Sequence, residues 1–126
     1  GSDLTRRRPQ MQWLMQVLAR NQLYFVDSRT DKGTVAAEAA REARLPHLSR
    51  QVFLDNNRDP TAIAERFERL IVLARKRGLA VGIGHPYPET IEFLARALPQ
   101  LRHRGLQLAL VSEVVNINDR GEPQFN

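Results

Sequence analysis

The sequence predicts an α/β fold: a parallel sheet of about four strands joined by crossover helices. Three observations carry this reading. Four short apolar runs, Leu23–Val26, Val52–Leu54, Ala80–Gly84 and Leu106–Val111, have strand length. The stretches between them place apolar residues at helical spacing. Each run breaks straight into a polar turn, at Asp27-Ser28-Arg29, Asp55-Asn56-Asn57, His85-Pro86 and Ser112-Glu113. In parallel α/β folds the carboxyl ends of the strands share one sheet edge, where ligands bind. On that reading Asp27, Arg29, Asp55, Asn56 and His85 converge, although about sixty positions separate the first from the last.

Each element has its own signal. Pro9 opens the first helix where its missing N–H is harmless. Met11, Leu14, Met15 and Leu18 follow at i, i+3, i+4 and i+7 as a buried stripe, and Asn21 stops the helix before the first strand. Asp31-Lys32-Gly33-Thr34 supplies capping chemistry for an alanine-rich helix from Val35 to Arg44, which Pro46 ends. A loop over 45–50, containing His47, leads to the second strand. Asp59-Pro60 reads as an N-cap followed by proline at N1. Ile63, Phe67, Leu70, Ile71 and Ala74 then form a buried stripe that Gly78 closes with a left-handed cap. Pro88-Glu89-Thr90 opens the last long helix, with Ile91, Leu94, Ala95 and Leu98 inward, and Pro99 requires it to kink or break. Gly105 repeats the cap of Gly78. The likeness of Arg75–Leu79 to Arg102–Leu106 is therefore shared turn chemistry rather than an internal repeat. From Val114 the chain is polar and aperiodic, so 114–126 is expected to be a frayed tail after a domain spanning 1–113.

Bulk properties narrow the function classes. At 126 residues the chain is one domain or part of one, and short of the roughly 200–250 residues of a complete (β/α) barrel. A net charge of +5, from 19 basic and 14 acidic residues, raises the question of nucleic acid. Most arginines, however, fall on outer helix faces or in last helical turns, where they complement the helix dipole, and the few aromatics are not interleaved with them. No nucleic-acid partner is expected. The absence of cysteine excludes disulfides, thiolate metal sites and a cysteine nucleophile. No run approaches the roughly 18 apolar residues of a membrane span, and no signal peptide is recognisable.

His85 is the most informative candidate. Glycines at 82 and 84 open one face of its strand to a backbone or a ligand, while Pro86 and Pro88 stiffen the turn that follows. An imidazole there is suited to general acid–base work or metal binding, or simply to closing the strand end on a neighbouring carbonyl. Asp27 and Asp55 occupy equivalent positions after their strands. Each is suited to general-base work, metal ligation or orienting a histidine, and equally to capping its own turn, with Arg29 a competing ion-pair partner for Asp27. Asn56, Asn57 and Arg58 read as a polar rim or a surface turn. His47 and His103 are assigned no chemistry. No P-loop, G-x-S-x-G elbow, H-E-x-x-H or dinucleotide fingerprint occurs.

Taken together, Phe25-Val26-Asp27-Ser28-Arg29-Thr30, Val52-Phe53-Leu54-Asp55-Asn56 and Ile83-Gly84-His85-Pro86-Tyr87-Pro88-Glu89-Thr90 resemble the divergent polysaccharide deacetylase family over residues 1–113. The resemblance implies half of a deformed (β/α) barrel related to the metal-dependent carbohydrate esterases. In those enzymes an Asp and two His hold a divalent metal, zinc being the expected ion, and a late histidine acts as acid. By that resemblance His85 matches the late histidine, Asp55 an orienting acid, and Asp27-Ser28-Arg29 an arginine-containing motif. His85, Asp55 and Asp27 are the implied catalytic residues, with Arg29 and Asn56 as substrate contacts. The metal ligands of the family belong to an amino-terminal half, and this chain has no H-x-x-x-H, so no metal or other cofactor is expected in this segment by itself.

The implied function is metal-dependent deacetylation of an envelope polysaccharide or peptidoglycan by the parent protein, with this segment inactive alone. The alternative is a non-catalytic, barrel-derived binding or scaffold module. A periplasmic or envelope location follows if the parent carries a signal peptide. Self-association into a homo-oligomer is expected, because a half barrel leaves open edges and an apolar face.

Overall fold

Alternation of side chains along the strands and caps on two of the helices set the local structure. The computed structural model describes residues 8–19, 22–46, 51–109, 115–117 and 123–125. Asn21, His47 and the turn Ser112-Glu113 lie outside them. Helix α1 spans Arg8–Ala19, strand β1 Gln22–Asp27, helix α2 Lys32–Arg44 and strand β2 Val52–Phe53. Helix α3 spans Pro60–Arg77, strand β3 Leu79–Ile83, helix α4 Pro88–Ala97 and strand β4 Leu106–Ala109.

The caps act as the sequence indicates. Asp31 accepts from the Thr34 N–H at 2.7 Å and Asp59 from the Thr61 N–H at 2.8 Å. Gly78 and Gly105 adopt left-handed conformations, with φ of 90° and 76°. Pro99 breaks rather than kinks its helix: α4 stops at Ala97 and two 3-10 turns, Leu98–Gln100 and Arg102–Arg104, carry the chain to β4.

The four strands form one sheet in the order β2-β3-β1-β4. The chain is α/β, as expected, but the sheet is mixed rather than wholly parallel. β2 and β3 are parallel and joined by α3, whereas β1 runs antiparallel to both of its neighbours, β3 and β4. Alternation divides the sheet into two unlike faces. One carries Leu23, Phe25, Val52, Leu54 and Ala80, which pack with Leu14, Leu18, Phe67, Leu70, Ile71 and Leu94 of α1, α3 and α4. Phe67 stands edge-on to both Phe25 and Phe93, at centroid distances of 5.7 Å and 5.2 Å. The other face holds a smaller cluster of Tyr24, Val26, Leu79 and Val81 against Ala39 of α2.

Two sequence expectations change on packing. In α1 the buried stripe is Leu14, Val17 and Leu18, while Met15 is half exposed. At 100° per residue Val17 and Met15 flank the Leu14–Leu18 stripe on opposite sides at equal angles, so packing rather than helical spacing selects the Val17 side. The segment read as a polar tail contains strands β5 (Val115–Ile117) and β6 (Pro123–Phe125), paired antiparallel, with β6 against α2. Backbone pairing of two strands does not require the apolar period that the tail lacks.

Candidate functional site

β2 and β3 run side by side and end together. Asp55 and His85 follow directly, beyond the last ladder bond, Leu54 N–H to the Ile83 carbonyl at 2.7 Å. Parallel pairing brings the two residues together across 30 positions of sequence. Asp55 is buried, 3 % exposed, and its carboxylate is fully engaged. Oδ1 lies 2.8 Å from His85 Nδ1; Oδ2 accepts from the His85 backbone N–H and from Thr90 Oγ1, both at 2.7 Å. Thr90 is completely buried in the first turn of α4, a helix whose N-cap residue, Tyr87, supplies no side-chain bond. The Asp55 carboxylate thus faces a helix N-terminus, where the dipole favours negative charge.

This arrangement fixes the imidazole. With Nδ1 committed to a carboxylate, the neutral ring carries its proton on Nδ1, and Nε2 is the nitrogen left to take up or release a proton. The His85 side chain is 39 % exposed, so the ring is open to solvent. The Tyr87 ring stacks on His85 at a centroid distance of 5.3 Å, and the Arg58 guanidinium lies 4.1 Å over the Tyr87 ring. Glu89 clamps Arg58 through two bonds of 2.8 Å and 3.1 Å, which holds the Glu89 carboxyl below its ordinary range and raises the guanidinium. The turn Asn57–Asp59, closed by Asn57 Oδ1 on the Asp59 N–H, positions Arg58. Asn56 is exposed at the same rim.

Asp27 and Arg29 lie elsewhere, which corrects the expectation that all five candidates converge. Because β1 is antiparallel, Asp27 stands at the end of the sheet where β3 and β4 begin. Its N–H bonds the Gly78 carbonyl at 3.0 Å, and the Ser28 N–H bonds the Gly105 carbonyl at 2.9 Å. The end of β1 is inserted between the two look-alike glycine corners. Asp27 is separated from the Asp55–His85 end by the length of β1, about 17 Å at 3.3 Å per residue. There its carboxylate accepts the Arg29 backbone N–H at 2.9 Å and the guanidinium at 2.7 Å and 3.1 Å. These bonds lower its pKa to about 2, the side-chain bond contributing most. Arg29 is thereby bound to its own turn.

Other basic residues are likewise engaged within the fold. Arg104 makes two 2.6 Å bonds to Glu68, and Arg75 bonds the Arg104 carbonyl at 2.6 Å and 3.2 Å, capping the second 3-10 turn. The glycines before His85 serve packing rather than ligand approach. A Cβ on Gly82 would stand 2.7 Å from Leu70 Cδ1, and one on Gly84 would stand 3.2 Å from Leu18 Cδ2.

Comparison with known proteins decides the relationship. A family profile described as divergent polysaccharide deacetylase matches residues 1–115. The chain belongs to the divergent polysaccharide deacetylase family. It is 40 % identical over 101 residues to an uncharacterized protein, YibQ, of Escherichia coli strain K12, and 39 % identical over 101 residues to an uncharacterized protein of Haemophilus influenzae. Both alignments take in 80 % of this chain but only 32 % and 36 % of those relatives, so the chain spans about a third of their length. No solved structure matches.

Within this family segment, the three motifs that carry the resemblance occupy two ends of the sheet. Thr90, Tyr87, Arg58 and Glu89 support His85, yet residue-by-residue reading assigned none of them that role. The available signal was the proline-rich turn Pro86-Tyr87-Pro88, which carries the chain from the end of β3 directly into α4 and brings Thr90 under Asp55. A divalent ion fits these residues poorly. The two Asp55 oxygens and His85 Nδ1 are committed to one another and to Thr90, and among the described residues no group of three His, Cys, Asp or Glu side chains converges. Among the described residues no helix is long and apolar enough to cross a membrane.

Proposed function

We propose that this chain is the acid–base segment of a carbohydrate hydrolase that removes acyl groups from an envelope polysaccharide or peptidoglycan. The single observation that supports this reading most is the Asp55–His85 pair, a buried carboxylate on Nδ1 of a half-exposed imidazole at the open end of two parallel strands. In this reading His85, as the imidazolium, gives the proton on Nε2 to the leaving nitrogen or oxygen of the substrate and returns to the neutral Nδ1–H form. Asp55 fixes the tautomer and stabilises the imidazolium when it forms. Thr90 and the His85 N–H hold the carboxylate, while Tyr87, braced by Arg58 and Glu89, restricts ring rotation. Asn56 lies at the rim as a substrate contact. Asp27 and Arg29 organise the opposite end and take no part in proton transfer.

If the parent protein uses a metal, its ligands come from outside the described residues. The reading places the parent in the periplasm or cell envelope, where such polymers are found. The test is acetate release from acetylated oligosaccharides and peptidoglycan by the full-length parent, compared with His85→Gln and Asp55→Asn. The expectation is activity in the parent, a loss of about 10²–10⁴-fold in His85→Gln, as for a removed general acid, and none in this segment alone. Saturable glycan binding without any turnover would instead establish a non-catalytic binding module.

A further inference from the structure

On the α2 face of the sheet lies a cavity of about 160 Å³ that plays no part in the Asp55–His85 pair. Its walls include Gln22 and Tyr24 of β1, Glu42 and Leu45 from the end of α2, Gln51 before β2, and Val81 of β3. The register explains the grouping. Tyr24 pairs with Val81 and Gln22 with Ile83, while Val52 pairs with Gly82, so Gln51, Val81 and Tyr24 form one row across three strands. Gln51 Oε1 is buried there and accepts no hydrogen bond among the described residues. A buried acceptor of that kind is costly unless something donates to it.

The lining defines the ligand. Gln51 requires a donor, and the Gln22 amide offers both a donor and an acceptor. Leu45 and Val81 supply an apolar wall. Burial, reinforced by Glu42, raises the Tyr24 pKa, so the phenol stays neutral. Among the described residues no Lys, Arg or His lines the cavity, and the Glu42 carboxylate in its wall disfavours an anion. The volume is about half the lower limit of a typical drug-sized pocket, enough for one ring rather than a chain of them. Along the edge strand, Gln51 stands about 13 Å before Asp55 at 3.3 Å per residue.

We infer that this cavity is a subsite for a single uncharged sugar residue, with Gln51 Oε1 accepting a ligand hydroxyl or N–H. The assignment rests on the proposal that the substrate is a polysaccharide. It adds that the bound chain extends from the Asp55–His85 end down the α2 face.

The test is an amide-resolved NMR titration of the whole chain with N-acetylglucosamine, glucose and glucuronate as probes. The expected result is saturable shifts at Gln22, Tyr24, Gln51 and Val81 with a neutral sugar, and affinity for glucuronate at least tenfold weaker. Gln51→Leu should weaken neutral-sugar binding at least tenfold while preserving the fold, since it deletes an unpaired buried acceptor. If Gln51→Leu does not fold, Tyr24→Phe with an unchanged spectrum elsewhere provides the comparison, and a threefold or greater loss is expected. Shifts confined to other residues, failure to saturate, or equal affinity in the variants would overturn the subsite. Asp55-dependent acetate release by the parent with no cavity shifts would remove the subsite and leave the proposed function standing. Cavity shifts without such turnover would do the reverse.

Discussion

Replacing Asp55 with Ala should be among the most destabilising single changes at the polar end of the sheet. The carboxylate receives three bonds, from Thr90 Oγ1, the His85 N–H and His85 Nδ1. Thr90 has no exposed surface, so its stranded hydroxyl incurs the full desolvation penalty, about 1–3 kcal/mol. The His85 N–H is only partly buried and regains water, adding about 1 kcal/mol, and the exposed ring adds little. The expected loss is about 2–4 kcal/mol in urea unfolding followed by circular dichroism, with an unchanged m-value. A second substitution separates the causes. Thr90→Val in the Asp55→Ala background removes the stranded hydroxyl, so the double variant should recover about 1–2 kcal/mol relative to Asp55→Ala. A loss below about 1 kcal/mol, or a double variant less stable than the single, would refute the claim that the buried Thr90–Asp55–His85 chain braces this end.

Other perturbations address the rest of the molecule. Asp27 titrates at about 2 in the folded chain against an ordinary 3.8, so its contribution is complete above 3.8 and fades as pH falls toward 2. The stability difference between the native chain and Asp27→Asn, measured by urea unfolding from pH 5 to pH 2, should therefore shrink across that window; a constant difference would contradict the Arg29 pairing. Gly82→Ala should destabilise by about 1–3 kcal/mol in thermal melts, because its Cβ meets fully buried Leu70 at 2.7 Å and Phe25 at 3.3 Å. A neutral or stabilising effect would mean that this face of β3 is open. Among the described strands β2 and β4 stand at the sheet edges, and such edges favour self-association, so light scattering at tens of micromolar should give a mass of at least twice 14.4 kDa. A clean monomer would show that the edges are adequately covered.

Local chemistry was legible without any coordinates. Asp59-Pro60 and Gly78 bound α3, Gly105 starts β4, and the apolar stripe Ile63-Phe67-Leu70-Ile71-Ala74 is buried residue for residue. These signals depend on neighbours within a turn or two, where sequence spacing and spatial distance are the same thing. The pairing of Asp55 with His85 was half legible. Both follow apolar runs flanking a strongly capped helix, and a strand–helix–strand unit of that length returns the chain parallel to itself.

Strand direction was not legible for β1. The run Leu23–Val26 is buried on both faces and has the same composition whichever way it points, and the segment 28–51 is long enough to return the chain to either end of the sheet. Only the ladder with β3 and β4 decides, and it carries Asp27 and Arg29 away from His85 to the glycine corners. The same holds for Thr90, whose hydroxyl matters because α4 lays it under Asp55, and for Gly82 and Gly84, whose missing side chains make room for Leu70 and Leu18. By itself, then, the sequence determined the family, the α/β character, the helix caps and the identity of the chemistry-bearing residues. Which of those residues meet was left to the tertiary structure, because contacts between distant segments depend on strand order and direction, and no local pattern of side chains encodes either.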